Sequence, residues 1–210
     1  MEVNLNVELL SITPNALDLI EEAGRICYNS KKGNQDKRNS FIKKRIEAGH
    51  ESIIEHCCAT FLIEGFSRIS SQQLTRYRIC SFSQRSQRFT KEDGFNYIIP
   101  VTIKDSKFIN RFVKWMMDGK ELYDEMINNG IPKEDARFCL PPGIETKLVM
   151  TMNFRELRHF LSQRLAKDAQ WEIRNVAKEI LRILKEQVNV IFDDLGDNND
   201  KNKNSRNKEE

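Results

Sequence analysis

The sequence predicts an α+β domain, with short strands assembled into a sheet and long helices beside it. Three observations lead there. Val3, Leu5, Val7 and Leu9 alternate with polar neighbours, the period-two signature of a strand with one buried face. Phe112, Trp115, Gly119, Leu122 and Met126 step by threes and fours, as do Ile173, Val176, Ile180, Leu184, Val188 and Ile191, so two long helices carry apolar stripes. Two further stretches, the apolar run Cys57 to Ile63 and Leu148, Met150 and Met152 in alternation with Lys147, Val149 and Thr151, read as internal strands.

Each element has local signals. After the first strand, Thr13 and Pro14 read as an N-cap and a first-turn proline, starting a helix that runs to about Tyr28. Asn29 to Gln35, with Gly33, is a polar loop. Phe41, Ile42 and Ile46 then mark a second helix that halts near Gly49. Gly65 closes the strand begun at Cys57, and Ser67 caps a helix through about Arg76. Residues 79–93 lack periodicity and read as a loop, and Tyr97 to Val101 as a short strand. The long helix from Asp105 ends at Asn128 to Pro132. A short helix over Asp135 to Cys139 is broken by Pro141, Pro142 and Gly143. Asn153 is placed to cap a helix to Leu165, and Trp171 falls with Met150 and Met152 on core positions. No internal repeat is present.

Composition narrows the class. A chain of 210 residues makes one sizeable domain, able to bury roughly 70% of its unfolded surface without staples. No apolar run approaches the ~20 residues of a membrane span. Met1 to Asn6 lacks the basic-then-apolar pattern of a secretory leader. Five cysteines, two of them adjacent at Cys57 and Cys58, do not suggest a disulfide framework. A reducing cytoplasm is the expected compartment, without membrane attachment. Of the formal +3, residues 1–192 carry +5 and residues 193–210 carry −2. The domain is therefore expected over 1–192. The Asn-, Asp- and Lys-rich stretch 193–210 is expected to be a disordered polar tail.

The surplus positive charge is concentrated. Arg76, Arg78, Arg85 and Arg88 fall within thirteen residues that contain no acid, interleaved with Ser81, Ser83 and Ser86. Guanidinium forks and hydroxyls suit a phosphate or a planar anion, each charge-assisted bond being worth roughly 1.5–3 kcal/mol. In a helix over 67–78, Gln73 and Arg76 share a face. Arg76 and Arg78 would sit about 200° apart there, so two ligands are expected to meet at this segment.

These residues carry a resemblance. Arg76-Tyr77-Arg78, seven residues and then Ser86 resemble the R-H-R-x7-S signature of flavin-dependent thymidylate synthases. His50-Glu51-Ser52-Ile53-Ile54-Glu55-His56 resembles that family's H-x-S/T-x-x-E-H segment, and Arg137-Phe138-Cys139-Leu140-Pro141 its A-R-x-x-L-P turn. Asn153-Phe154-Arg155, Phe160-Leu161-x-x-Arg164 and Ala169-Gln170-Trp171-Glu172-Ile173 resemble its C-terminal block. In order, these matches cover most of residues 25–185.

The resemblance implies an α+β fold with a mixed or antiparallel sheet flanked by long helices. It implies conversion of dUMP to dTMP, with methylenetetrahydrofolate as carbon donor and NADPH-reduced FAD as hydride donor. Gln73, Arg76, Gln84, Ser86, Arg88, Arg137 and Arg164 would hold dUMP, the arginines chiefly its phosphate. Ser52, Arg76, Tyr77, Arg78, Gln84, Asn153, Arg155 and His159 would contact FAD. Arg164 would be catalytic, polarising the pyrimidine by favouring its ionised ring nitrogen, a role suited to a side chain that keeps its proton. A cytoplasmic homotetramer with sites built from several subunits is implied too. Tyr77, Ser83, Gln84 and Gln87 depart from the family's histidine, asparagine, glutamate and glycine, which alters the surroundings of the flavin more than the phosphate-binding arginines.

Other readings stand beside this one. A divergent homologue could bind flavin and nucleotide without synthase turnover, and a nucleic-acid module could use Arg76, Arg78, Arg85, Arg88 and Lys91 with steep salt dependence. His50, His56, Cys57 and Cys58 match no standard zinc spacing, so no metal site is expected. Cys80 lies amid arginines that would favour a thiolate, against the simpler reading of a small buried side chain. Arg155 and His159, four apart, share a helical face that serves equally well as a solvated ridge.

Overall fold

The computed structural model describes residues 3–92 and 94–196. Its four-stranded antiparallel sheet has the order β1-β2-β4-β3, where β1 is Asn6–Ile12, β2 Cys58–Ser67, β3 Cys80–Gln84 and β4 Glu145–Asn153. The helices are α1 (Ala16–Tyr28), α2 (Gln35–Glu47), α3 (Arg68–Leu74), α4 (Val101–Lys104), α5 (Ile109–Asn128), α6 (Lys133–Ala136), α7 (Phe154–Arg164) and α8 (Trp171–Phe192). Short 3-10 turns cover Glu51–Ile54 and Arg137–Cys139. The α+β expectation holds. Among the described residues no helix is long and apolar enough to cross a membrane.

The chain divides into two compact units. The first takes residues up to Asn6, Leu62–Arg76 and Phe82–Val149, and the second Val7–Phe61, Tyr77–Ser81 and the chain from Met150.

In the first unit, Gly65 does not close the strand. It holds φ +70° and β2 runs through it to Ser67, because glycine alone takes that conformation without strain. The Ser67 hydroxyl then caps α3 by accepting from Ser70 N at 3.1 Å. The expected loop over 79–93 contains strand β3. Its order comes from pairing along a sheet edge, and its alternating exposure carries no apolar stripe that a sequence pattern would reveal. The expected strand at Tyr97 is reduced to a single bridge to Ile144, since Pro100 lacks the N–H a ladder needs and starts α4 instead. The long helix α5 is where the periodicity placed it, but its phase differs. Met116 and Tyr123 are fully buried, while Trp115 and Leu122 are exposed. Gly119 sets that phase: a Cβ there would lie 2.8 Å from Pro141 Cδ and 3.0 Å from the Cys139 carbonyl, so its bare face lets the Arg137–Cys139 turn approach.

In the second unit the cap of α1 is not Thr13. Asn15 takes the N-cap position in a left-handed conformation without a side-chain bond. The Thr13 hydroxyl is occupied with strand β2, accepting from Cys58 N at 2.9 Å. Asn34, Asn153 and Gln170 cap α2, α7 and α8. The core is α7 against α8, with Phe154, Phe160, Ile173, Ile180, Leu184 and Phe192 fully buried, each worth roughly 1.5–3 kcal/mol. Phe154 and Phe192 meet edge to face with centroids 5.7 Å apart.

Asp193–Leu195, counted with the polar tail in the sequence, pack onto this core. Asp193 pairs with Lys43 at 2.7 Å, Leu195 is buried, and Asp194 grips Arg158 through two bonds of 2.6 and 2.7 Å. Residues 197–210 lie outside the described residues. Arg158 is 8% exposed and also bonds Glu51 and the Ile191 carbonyl. Burial opposes ionisation of Asp194, but the Arg158 bonds and charge outweigh it and hold the carboxyl below its ordinary value. A depressed carboxyl stabilises the fold above its unfolded pKa and loses that contribution as pH falls through the folded one. The melting-temperature gap between wild type and Asp194→Asn is therefore expected to be full at pH 7 and to close below about pH 4. A gap of constant size across a thermal-melt series in pH would refute this.

Candidate active site

The arginine segment is shared between the units, with Arg76 ending one stretch of the first and Tyr77 opening one of the second. The helix expected through Arg76 stops at Leu74, where the Thr75 hydroxyl turns back to the Ser71 carbonyl at 3.1 Å. The 200° separation expected of Arg76 and Arg78 therefore does not apply. Both are exposed beyond the helix end.

In the first unit, Gln84 Nε2 donates to Ser71 Oγ at 2.9 Å and Thr146 Oγ1 at 3.0 Å, which fixes β3 beside α3 and β4. Arg85 is structural. Its guanidinium pairs with Glu92, 2% exposed, at 3.0 Å and donates to the Glu145 carbonyl at 2.9 Å. Burial raises the Glu92 carboxyl against the opposing pull of Arg85. The acid that balances this arginine thus lies four residues beyond the cluster. Arg88 and Arg137 converge on a residue the sequence reading missed, Glu134. Arg88 Nε meets the Glu134 carboxylate at 2.5 Å, and Arg137 Nε donates to the Glu134 carbonyl at 3.1 Å. Ser86 accepts from Arg88 N at 3.2 Å. Arg88, Glu134, Phe89 and Ile131 line a cavity of about 470 Å³. Gln73, half-buried on α3, belongs to this unit as well.

In the second unit, Asn153, Arg155 and His159 line one cavity of about 620 Å³ with Glu51, Glu55 and Arg158. The α-helical period places them there: Asn153 caps α7 by accepting from Glu156 N at 2.8 Å, and Arg155 and His159 follow on one face. Arg155 is paired with Glu55 at 2.5 Å. Leu195 and Ile79 complete the wall. Ser52 and Arg78 are exposed in the same unit and are not among the lining residues.

Tyr77 is buried. Its hydroxyl donates to Gln163 Oε1 at 2.8 Å, and its ring packs edge-on against His159 and Phe160 at centroid distances of 6.0 and 5.3 Å. The Arg164 guanidinium lies 5.4 Å from its centroid. Burial pushes the phenol up, opposed by Arg164, so it remains a protonated donor. Arg164 Nε is buried without a hydrogen-bond partner. Cys80 is half-buried, and burial, helped by Glu156, pushes its thiol up to about 11, which favours the packing role over the nucleophilic one. Among the described residues no three His, Cys, Asp or Glu side chains gather as a metal site would require.

Residues 8–189 match the family model described as thymidylate synthase complementing protein. The chain is 39% identical over 202 residues to a flavin-dependent thymidylate synthase of Geobacter sulfurreducens, covering 91% of this chain and 87% of that protein. A protein of the same name from Pyrococcus horikoshii is 41% identical over 189 residues, with 84% and 78% covered. One from Clostridium tetani is 37% identical over 214 residues, with 90% and 86% covered. The chain belongs to the thymidylate synthase complementing protein family.

Proposed function

We propose that this chain is a flavin-dependent thymidylate synthase that converts dUMP to dTMP. The observation that carries the reading is the arrangement along α7, where Asn153, Arg155 and His159 border one cavity and Arg164 ends the same helix with a buried, unpartnered Nε. The cavity of about 620 Å³ is of the size small ligands occupy, and Arg155, half exposed beside Glu55, can exchange that carboxylate for a pyrophosphate. Arg78 and Ser52 stand in the same unit as further flavin contacts. FAD held there and reduced by NADPH would supply the hydride, and methylenetetrahydrofolate would supply the carbon.

Gln73, Arg76, Gln84, Ser86, Arg88 and Arg137, all in the first unit, hold dUMP in this reading. Arg88 is paired with Glu134 and exchanges that carboxylate for the nucleotide phosphate. Arg164 stabilises the negative charge that develops on the pyrimidine through the fixed donors of its guanidinium. A cytoplasmic homotetramer accompanies the assignment, and Arg85 counts against the nucleic-acid alternative because its charge is already neutralised by Glu92.

The test is tritium release from dUMP labelled at the carbon that accepts the methyl group, in a mixture of protein, FAD, NADPH and methylenetetrahydrofolate. Release that requires both flavin and folate supports the assignment. No release from folded, flavin-loaded protein would favour the divergent binding homologue.

A further inference from the structure

Position 77 holds a tyrosine where the R-H-R signature has histidine, and its surroundings give that tyrosine a task. Only 8% of its surface is accessible, so little of the ring remains for a bound ligand. Its hydroxyl is committed to Gln163, its edges to His159 and Phe160, and the Arg164 guanidinium stands over the ring. Every one of these partners lies on α7, at positions 159, 160, 163 and 164, which share one arc of its last turns. Tyr77 thus engages the residues on either side of the guanidinium and the guanidinium itself. A phenol ring presents a negative π face to a cation and never becomes cationic, whereas an imidazole that protonated there would repel Arg164.

We propose that Tyr77 is a positioning residue for Arg164. Its ring seats the guanidinium and its hydroxyl, through Gln163, fixes the last turn of α7 so that Arg164 meets the pyrimidine already oriented. The inference rests on the assignment of Arg164 to the nucleotide made above. It removes Tyr77 from direct contact with the flavin and makes it act through Arg164.

Two pairs of variants test it. Tyr77→Leu takes the ring from Arg164 and is expected to weaken dUMP binding, read by calorimetry, by roughly fivefold, the size of a partly exposed cation–π contact. Flavin affinity, read by fluorescence, stays within about twofold, since the substitution removes no contact to the flavin. Tyr77→Leu combined with Arg164→Ala binds dUMP no more weakly than Arg164→Ala alone, because both remove one interaction. Tyr77→Phe and Gln163→Ala, the latter at an exposed position that leaves the core intact, each lower kcat a few-fold, consistent with one lost hydrogen bond, and together lower it no further. Additive losses in either pair overturn the proposal, as does a Tyr77→Leu protein that loses flavin while keeping dUMP affinity. If Tyr77→Leu does not fold, the Phe and Gln163 pair decides alone by the same criterion. Wild type that binds dUMP without releasing tritium refutes the synthase assignment while the dUMP cycle still decides the role of Tyr77; wild type that binds no dUMP overturns both.

Discussion

Arg164→Ala is expected to eliminate thymidylate formation, lowering tritium release by at least about 10²–10³-fold, the usual loss when a group that stabilises developing charge is removed. The fold should survive. Arg164 sits at the end of α7, only partly buried, and its clearest contact is the Tyr77 ring, an interaction worth roughly 1 kcal/mol. Melting should therefore shift by only about 2–4 °C. The two readouts separate the possibilities: near-normal turnover in the variant would sink the proposed role, and a large drop in melting temperature would mean that Arg164 is a structural residue. Arg164→Lys keeps the charge but not the planar fork, so a variant as poor as alanine would indicate that geometry is required beyond charge.

Gly65→Ala is expected to be the most damaging single methyl group in the first unit. At φ +70° a Cβ would stand 1.9 Å from the Asn4 carbonyl oxygen and 2.6 Å from its carbon. Both are backbone atoms, so no side-chain rotation relieves the overlap. The left-handed conformation adds about 1–2 kcal/mol for any L side chain, and the clash should bring the loss beyond about 3 kcal/mol, or roughly 10 °C in melting temperature. Gly49→Ala is the internal control. Its φ is +75°, yet nothing lies within 4 Å of the added Cβ, so it should cost only the conformational share, about 1–2 kcal/mol. Equal effects of the two substitutions on thermal unfolding would show that the Asn4 approach is unimportant. The consequence reaches the candidate site, because β2 passes through Gly65 into the Ser67 cap and α3, which carries Gln73.

The long amphipathic helices, the Asn153 cap and the α+β class were legible in the sequence because each rests on chemistry within a few residues. A side-chain oxygen three positions before a free N–H caps a helix whatever lies around it, and apolar residues at a period near 3.6 define a face to be buried. The arginine-rich segment was legible as a concentration of positive charge for the same reason, since the spacing of charged residues is a local property. What the sequence could not decide was which of several local options each residue takes. Trp115 and Met116 are both apolar, and only the bare surface of Gly119 against Pro141 determined that Met116 turns inward. Thr13 had the chemistry of a cap but spends its hydroxyl on Cys58, and β3 owes its order to a neighbouring strand distant in the chain. Arg85 and Arg88 look alike in the sequence, yet one is neutralised by a buried acid and the other meets an exposed one. Partners so far apart leave no periodic trace. Composition and spacing set which residues can form helices, cap them or carry charge, while the tertiary structure, by bringing Glu92 to Arg85 and Asp194 to Arg158, decided which charges are spent on the fold.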